Sequence, residues 1–423
     1  MRRLALVVAG LISSGCVGVV EEIADSGQQT QSDSGVETDA GVIVVDDAGT
    51  TDAGQFDAGI PDAGQPDAGL IPVFVALGKQ QRRAISCDDG RTWTHDVSID
   101  DSWPMNERYR CFSGTFALPD GGSNNTDCDH NAYSVIGLTY GDGVFVHTMG
   151  WGTPGTVWRS ENGADWERVI ENGPTATDVM FDEHRFIMAT RNPRRSDDQG
   201  RTWQSNPEIP VESNGNTIWN VRGGVGGGGV FLALGLDGSN IDMQRSTDRG
   251  ATWSRPTLVG GGRVDACGAG HPVFGNGIFV TVRNDQGNTT VCRSSDGAQT
   301  WSNTTLNNVS IESRIVFTGT EFVMWSPGGV HRSADGTTWT SMPSQTRSSS
   351  GATSGGPNIG AVAYANGTFV AVRGGWQVWY EQQKFYRSTD GVVWDELPAG
   401  AFKPGHPITA MAAGLVPRSA ACP

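Results

Sequence analysis

The sequence predicts an all-β fold built from seven copies of one repeated unit. One short motif recurs seven times between residues 86 and 394. Glycine is abundant, at 59 residues, and 14 tryptophans accompany it, a composition typical of short strands joined by tight turns. Ahead of most copies of the motif, two apolar segments separated by a Gly or Asn turn predict a pair of antiparallel strands.

Each repeat contains a Ser, an Asp or Asn two residues later, then a Gly and a Trp. The copies span residues 86–93, 160–166, 196–203, 246–253, 294–301, 333–339 and 388–394. In such a segment the carboxylate and hydroxyl oxygens accept hydrogen bonds from backbone N–H groups of a tight turn. The Gly adopts a positive φ without steric cost, and the Trp begins the next strand. The acidic or amide positions are Asp88, Asn162, Asp198, Asp248, Asp296, Asp335 and Asp390.

This motif resembles the Asp-box, Ser-x-Asp-x-Gly-x-Thr-Trp, of the sialidase-like BNR-repeat β-propeller superfamily. The resemblance covers about residues 71–416. It implies a seven-bladed β-propeller of four-stranded antiparallel blades. In that superfamily the boxes are structural, and they join strands three and four of each blade on the face away from the ligand site.

The two ends of the repeat region predict how the ring closes. Residues 72–78 have the apolar pattern of a second strand, so the first blade lacks a first strand of its own. Residues 407–416 follow the last complete blade and have no motif after them. We expect this C-terminal segment to pair within the N-terminal blade, which removes the exposed sheet edges.

The N-terminal residues predict export and lipid anchoring. Arg2 and Arg3 precede an apolar run at residues 4–12, which is too short to span a bilayer. The Ser-Ser-Gly-Cys that follows resembles a bacterial lipobox, so residues 1–16 are expected to be a signal peptide with Cys16 as the lipidated residue. Ordinary cleavage that leaves Cys16 free is the alternative. In some bacterial lipoproteins an Asp directly after the cysteine favours retention in the inner membrane. The residue here is Val17, so the resemblance favours the outer membrane.

Residues 17–70 are expected to be a disordered acidic tether, and residues 71–423 the propeller. The tether contains 12 acidic and no basic residues, and Asp-Ala-Gly recurs every five residues from Asp47 to Asp67. Most of the net charge of −16 therefore lies in the tether. The remaining chain is only mildly acidic, which argues against a nucleic-acid partner. We expect a monomer anchored to the membrane through Cys16.

Six cysteines remain after Cys16, which in an exported chain suggests three disulfides. Fifteen pairings are possible. We favour Cys111–Cys128 within one loop, Cys267–Cys292 within one blade, and Cys87–Cys422 between the two ends of the ring. The spacing fits no zinc pattern, and no metal or cofactor is expected.

Several polar and aromatic residues map to the connections that form the ligand face of a propeller. They are Arg191, Arg283 and Arg373, then Trp151, Trp325 and Trp376, and finally His271 and His406 at the start of two first strands. The long connection at residues 99–131 adds Tyr109. Solvated surface charge and tryptophan packing under loops are competing interpretations of these positions.

Two functions remain open from the sequence. A sialidase-type glycoside hydrolase would need an Arg-Ile-Pro motif early in its domain and a Tyr nucleophile backed by Glu. The chain offers only Arg314-Ile315-Val316, late in the sequence, so we expect no catalytic residues. The preferred function is a cell-envelope binding or adaptor module for glycan or protein ligands. Single propellers of this size also resemble photosystem assembly factors, in which an Arg-rich face docks a protein.

Overall fold

The computed structural model describes residues 69–97, 116–117, 123–124, 135–149, 155–173, 176–190, 193–207, 220–237, 240–262, 264, 267, 271–285, 287–311, 313–374, 383–397, 407–418 and 422. These residues form a seven-bladed β-propeller. Its seven mainly antiparallel sheets are arranged in a ring, and the prediction of an all-β propeller is confirmed.

Blades 1 to 3 each contain four strands. Blade 1 consists of β1 (Leu70–Gly78), β2 (Arg83–Ser86), β3 (Thr94–Val97) and β32 (Ile408–Pro417), with a 3-10 helix at Lys79–Gln81. A separate hairpin is formed by β4 (Phe116–Ala117) and β5 (Ser123–Asn124). Blade 2 consists of β6 (Val135–Gly141), β7 (Val144–Met149), β8 (Gly155–Ser160) and β9 (Glu167–Gly173). Blade 3 consists of β10 (Asp178–Asp182), β11 (Arg185–Ala189), β12 (Arg194–Ser196) and β13 (Gln204–Ser205).

Blades 4 to 7 complete the ring. Blade 4 consists of β14 (Asn220–Gly227), β15 (Val230–Asp237) and β16 (Asn240–Ser246). Blade 5 consists of β17 (Thr257–Leu258), β18 (Val273–Gly275), β19 (Ile278–Asp285), β20 (Asn288–Ser294) and β21 (Thr300–Leu306). Blade 6 consists of β22 (Val316–Phe317), β23 (Phe322–Ser326), β24 (Gly329–Ser333) and β25 (Thr340–Pro343). Blade 7 consists of β26 (Gln345–Arg347), β27 (Thr353–Gly355), β28 (Ile359–Ala365), β29 (Thr368–Arg373), β30 (Phe385–Ser388) and β31 (Val393–Glu396).

Three blades depart from the expected four antiparallel strands. In blade 4 the fourth strand is reduced to a single bridge between Arg245 and Ser254. In blades 5 and 7 the chain arriving from the previous blade first adds a strand to the outer edge, so β17 and β26 pair in parallel with β21 and β31. These added strands cover edges that would otherwise be open to pairing with another chain.

The ring closes through the C-terminal strand, as the sequence predicts. The first strand of blade 1 is β32, which pairs antiparallel with β1 from Leu70↔Pro417 to Gly78↔Ile408. It also bonds to blade 2, where the Tyr140 hydroxyl donates to the Leu415 carbonyl oxygen at 2.5 Å. Gly414 makes this approach possible, since a Cβ there would lie 2.4 Å from the Tyr140 ring. Blades 1 and 2 are thus joined by main-chain and side-chain contacts of one strand.

Every repeat turn joins the third strand of its blade to the position of the fourth. In all seven turns the Ser hydroxyl donates to the Oδ1 atom of the Asp or Asn, at 2.7–3.1 Å. Backbone N–H groups of Thr338 and Thr337 donate to Asp335 and lower the pKa of this carboxyl to about 2. The carboxylates therefore serve the turns, as expected for structural residues.

The repeat turns also hold neighbouring blades together. Gly90 has a φ of +79°, and a Cβ there would lie 2.1 Å from Val370 of the preceding blade. In six blades an Arg directly precedes the turn Ser, and five of these guanidinium groups donate to a backbone carbonyl in the turn of the next blade. These residues are Arg159, Arg245, Arg293, Arg332 and Arg387. In blade 3, Arg185 makes the equivalent bond to the Arg249 carbonyl at 2.6 Å.

In five blades an aromatic pair packs where the first strand ends and the second strand begins. In each pair a first-strand ring packs on the second-strand Phe directly opposite it, with ring centroids 4.6–4.8 Å apart. Such pairs contribute about 0.5–1.5 kcal/mol beyond the area they bury. The pairs are Tyr140–Phe145, Phe181–Phe186, Phe274–Phe279, Phe317–Phe322 and Tyr364–Phe369.

Two of the favoured disulfides are present. Cys87 in the first repeat turn bonds to Cys422, across 335 residues, and Cys267 bonds to Cys292, across 25 residues. The first bridge ties the C-terminal end of the chain to blade 1 and so reinforces the ring closure. Cys111 and Cys128 lie outside the described residues.

Removal of the Cys87–Cys422 bridge should destabilise the ring more than removal of the second disulfide. We expect the Cys87→Ala/Cys422→Ala variant to lose about 2–5 kcal/mol of unfolding free energy, because this bridge closes the longer loop and constrains the unfolded chain more. Urea unfolding would measure the loss. A larger loss in the matched Cys267→Ala/Cys292→Ala variant would contradict this account of ring closure.

The arginine that bonds across the junction between blades 7 and 1 provides a second test. Arg387→Met removes the bond from Arg387 Nε to the Asp89 carbonyl oxygen, which is 2.7 Å long, and leaves that oxygen without its donor. We expect a loss of about 1–3 kcal/mol in urea unfolding. Lys384→Met is the control, because its partly exposed ion pair with Glu396 lies within one blade and should contribute little. Equal losses of unfolding free energy in both variants would show that the inter-blade bond stabilises the protein no more than the surface ion pair does.

Candidate functional site

Five of the predicted ligand-binding residues lie outside the described residues. They are Tyr109, Trp151, Arg191, Trp376 and His406. Cys16, the predicted lipidation site, also lies outside them. The structure therefore bears on Arg283, Arg373, Trp325 and His271 among the predicted positions.

Arg283 and Arg373 lie at or near the C-terminal ends of the second strands of blades 5 and 7. We call the end of the ring at which the first strands begin the upper face, and the opposite end, which has the repeat turns, the lower face. Arg283 lies near the end of β19 opposite Thr290, and Arg373 is the last residue of β29. Since all second strands run from the lower to the upper face, both residues lie at the upper face, in blades that are not adjacent.

Trp325 does not line a surface, which corrects the sequence-based expectation. Its side chain is only 1% exposed, and its indole N–H donates to the Gly391 carbonyl oxygen at 2.8 Å. The ring packs edge-on against Phe369 and Trp394 of the next blade. Trp325 therefore belongs to the core between blades 6 and 7. The sequence pattern suggested a position after the second strand, whereas Trp325 lies within β23. Its ring faces the neighbouring blade.

A cavity occupies the centre of the ring. Its volume is about 700 Å³, and it is lined by the first strands of all seven blades. Small-molecule sites in proteins have volumes of roughly 300–1,000 Å³. We call this cavity the channel. Tyr364 and Leu415 line its lower part, and His271 lines its upper part.

Three ionisable side chains meet at the upper end of the channel. Asp178 begins β10, His271 precedes β18, and Arg314 precedes β22, so blades 3, 5 and 6 each contribute one group. His271 Nδ1 lies 2.8 Å from Asp178 Oδ2. The other carboxylate oxygen accepts from the Val179 N–H at 3.0 Å. We call these three residues the upper cluster.

Arg314 reaches across the channel to blade 2. Its Nη2 donates to the Ile136 carbonyl oxygen at 3.1 Å. The guanidinium forms no ion pair with any carboxylate in the part of the chain that the structure describes. Burial lowers the pKa of Arg314, and the charge of Asp178 opposes this shift. Among the described residues Arg314 is therefore a cation without a carboxylate partner, a setting that favours a nearby anion.

Asp178 orients the His271 ring, whose pKa is lowered by its surroundings. Burial lowers its pKa, the charge of Arg314 lowers it further, and Asp178 acts in the opposite direction. The side chain retains 30% of its exposed surface, while Asp178 retains 6%. The carboxylate therefore fixes the imidazole ring, and the ring presents its remaining surface to the channel.

The sequence identified only one member of the upper cluster as a ligand-binding residue. The position of His271 at the start of a first strand predicts it, whereas Asp178 belongs to no motif and Arg314 stands out only as part of an incomplete sialidase motif. A shared signal exists, since each residue lies at the start of a first strand or within two residues before it. That signal is visible only when the seven repeats are aligned on their first strands.

The tyrosines of the described residues do not resemble an activated nucleophile. Burial raises the pKa of Tyr140, Tyr364 and Tyr386, and the value for Tyr386 reaches about 12. The carboxylates of Glu321 and Glu396 raise the pKa of Tyr364 and Tyr386 further. All three phenols are therefore held in the protonated form. No group of His, Cys, Asp or Glu side chains in the described part of the chain is arranged to hold a metal ion.

Comparisons with known proteins reveal structural similarity without a family. No family model matches the chain, and no curated protein matches it. The chain is similar to YCF48 from Cyanidioschyzon merolae, with 17% identity, a TM-score of 0.40, and coverage of 64% of this chain and 86% of that chain. It is similar to a protein from Lactobacillus plantarum, with 8% identity, a TM-score of 0.49, and coverage of 82% and 99%. It is also similar to TolB from Acinetobacter baumannii, with 11% identity, a TM-score of 0.40, and coverage of 82% and 66%.

No helix among the described residues has the length and apolar character needed to cross a membrane.

The buried imidazole of His147 makes the stability of the protein depend on pH. His147 in β7 is 3% exposed, stacks on Trp158 and contacts the ring of Trp166. Burial, followed by the nearby charge of Arg83, lowers its pKa from 6.5 to about 3. Its Nδ1 atom has no hydrogen-bond partner among the described residues. The neutral imidazole is therefore part of the blade 2 core.

Acid should destabilise the protein through His147. Between pH 6.5 and about 3 the unfolded state binds a proton that the folded state excludes, so stability falls as the pH decreases. At pH 5 this group alone should cost about 2 kcal/mol relative to pH 7. We expect His147→Phe, which keeps an aromatic ring in place, to reduce the pH dependence of urea unfolding by about that amount.

The exposed His95 supplies the control for this experiment. His95→Asn, at an exposed position whose φ of +55° an asparagine tolerates, is the control for the loss of a histidine side chain. An unchanged pH dependence in His147→Phe would contradict the assignment of the acid sensitivity to His147.

Proposed function

We propose that this protein is a lipid-anchored envelope protein that presents a β-propeller as a binding or adaptor module. Cys16 would be the anchor, and residues 17–70 would be an acidic spacer between the membrane and the ring. The outer membrane is the preferred location, because Val17 follows the cysteine. The ligand would be a glycan or a protein, held at the upper face.

The proposal includes membership in the sialidase-like Asp-box superfamily. The seven repeat turns support it, because each has the same Ser-to-Asp or Ser-to-Asn bond and joins the same pair of strand positions. These turns lie at the lower face, where Glu161, Gln199 and Arg201 border the lower mouth of the channel, so the upper face is free of the structural motif. A binding site separated from the repeat turns can vary without loss of the fold.

The observation that carries the binding role is the charge of Arg314 in the channel. Arg314 is partly buried and pairs with no carboxylate of the described residues, so an anionic ligand group would be stabilised beside it. The upper cluster opens into a cavity large enough for a small ligand or for one residue of a larger one. We therefore place the binding site at the upper end of the channel.

A glycan array probed with the purified full-length protein tests this function, together with a fluorogenic sialoside assay on the same sample. We expect binding without turnover, weakened about 10- to 100-fold in Arg314→Met, since a charge-assisted hydrogen bond is lost. Arg347→Met is the control, because this arginine pairs with Asp395 at the outer edge of blade 7. Binding that persists in Arg314→Met would contradict the placement of the site, and turnover of the sialoside would move the function to glycoside hydrolysis.

A further inference from the structure

A histidine and a carboxylate at the upper end of the channel form an oriented pair. His271 Nδ1 lies 2.8 Å from Asp178 Oδ2, where the carboxylate accepts the Nδ1 proton. The neutral ring then carries its lone pair on Nε2, which has no hydrogen-bond partner among the described residues. Both side chains line the channel. Nε2 of His271 is therefore the ring nitrogen that is available to a ligand or to water.

Arg314 lies beside this pair. Its Nη2 donates to the Ile136 carbonyl oxygen at 3.1 Å. The next residue, Gly137, packs so closely on Asp178 that a Cβ on Gly137 would lie 2.4 Å from the Asp178 Cα. The charge of Arg314 also contributes to the lowered pKa of His271. The bond to Ile136 uses one of the five guanidinium N–H groups, so Arg314 retains donors for a ligand.

These three groups are the parts needed to activate a water molecule and stabilise the product of its attack. An imidazole that is unprotonated at neutral pH can remove a proton from water, and the lowered pKa of His271 meets this condition. A carboxylate on the other ring nitrogen fixes the tautomer and stabilises the imidazolium that forms. A guanidinium stabilises the negative charge that develops on the group under attack.

The carboxylates of the channel favour ester hydrolysis over glycoside hydrolysis. A glycoside hydrolase uses a pair of carboxyl groups that flank the bond it breaks. Among the described residues, the carboxylates that line the channel are those of Asp142, Glu161 and Asp178. Asp142 follows β6 and Glu161 follows β8, so both lie at the lower mouth, at the other end of the channel from Asp178. Ester hydrolysis needs one base and one oxyanion donor, and the upper cluster has both.

We propose that the upper cluster hydrolyses carboxylic esters, and that its substrate is an O-acyl group on a glycan held at the upper end of the channel. This activity goes beyond the proposed binding function and rests on it for the glycan. His271 Nε2 takes a proton from water, the water oxygen bonds to the acyl carbon, and the carbonyl oxygen becomes an oxyanion beside Arg314. The carbonyl then re-forms, the bond from the acyl carbon to the sugar oxygen breaks, and His271 returns the proton to that oxygen. The products are a carboxylic acid and a free sugar hydroxyl group, and Asp178 acts only by positioning the base.

Release of acetate from glucose pentaacetate by the purified full-length protein tests this activity. His271→Gln should lower kcat about 100- to 10,000-fold, because the general base is lost. Arg314→Met should lower kcat about 100- to 1,000-fold, because the oxyanion loses a donor. Asp178→Asn should lower kcat at least about tenfold with little change in KM, since Asp178 orients His271 and does not touch the substrate.

A second histidine–carboxylate pair supplies the matched control. His184 Nδ1 lies 2.6 Å from Asp142 Oδ1, but this histidine is 74% exposed and lies at the lower face. His184→Asn, which tolerates the φ of +63° at this position, should leave acetate release unchanged. Imidazole added to the solution should restore part of the activity of His271→Ala and none of that of Asp178→Asn, a difference that a loss of folding would not produce. Thermal unfolding shows which variants keep the ring intact, and if the His271 variants unfold, Arg314→Met and Asp178→Asn still decide the question.

The outcomes separate the esterase activity from the binding function. A wild-type protein that releases no acetate, or that releases it no faster than the folded His271→Gln variant, would overturn the esterase activity. An equal loss in His184→Asn and His271→Gln would also overturn it, because any histidine would then serve. If glycan binding still depends on Arg314 in these cases, the binding function stands. Absence of both acetate release and Arg314-dependent glycan binding would overturn both.

Discussion

The antiparallel pairing of β32 with β1 is the constraint on which the rest of the structure depends. These two strands lie at opposite ends of the chain, and their ladder converts a row of sheets into a ring. Ring closure removes the open edges that a linear array of blades would expose. It also brings the C-terminal strand into contact with blade 2, where Tyr140 packs on Gly414 and donates to Leu415. The disulfide from Cys87 to Cys422 then secures the same junction covalently.

Contacts at the lower face also join neighbouring blades around the ring. Each arginine that reaches the repeat turn of the next blade satisfies a backbone carbonyl and places its charge over a tight turn, as Arg245 does for Gly297 at 2.7 Å. Planar guanidinium groups suit this task better than ammonium groups, because they donate in fixed directions and retain less hydration. Of the 30 basic residues in this chain, 27 are Arg. The bonds between blades explain part of this preference.

The channel is a consequence of the closed ring. Its wall is made from the first strands, and β32 contributes Met411 and Leu415 to it. The members of the upper cluster come from blades 3, 5 and 6, and they meet only because the ring brings these blades around one axis. A site of this kind combines a rigid frame with side chains that are free to differ from blade to blade. The repeat turns that maintain the fold lie at the lower face, and the upper cluster lies at the opposite end of the channel.

The fold was predictable because it is repeated locally. The spacing of Ser86, Asp88 and Gly90 specifies a turn within a few residues, and seven copies of it define the blades and their number. The closing strand was also predictable, since residues 407–416 had an apolar pattern and no other partner. The upper cluster was not predictable, because Asp178 and Arg314 are far apart in sequence and neither belongs to a local motif. Trp325 was assigned to a surface because sequence position relative to a strand end does not reveal which side of a blade a ring occupies.

The central claim is that Arg314, which pairs with no carboxylate of the described residues, makes the channel an anion site. Crystals of the full-length protein soaked in sodium bromide would test it most directly, because the anomalous scattering of bromide locates bound anions. The account predicts a bromide ion at the upper end of the channel, in contact with the Arg314 guanidinium. A guanidinium paired with a protein carboxylate, and a channel without bromide, would contradict it.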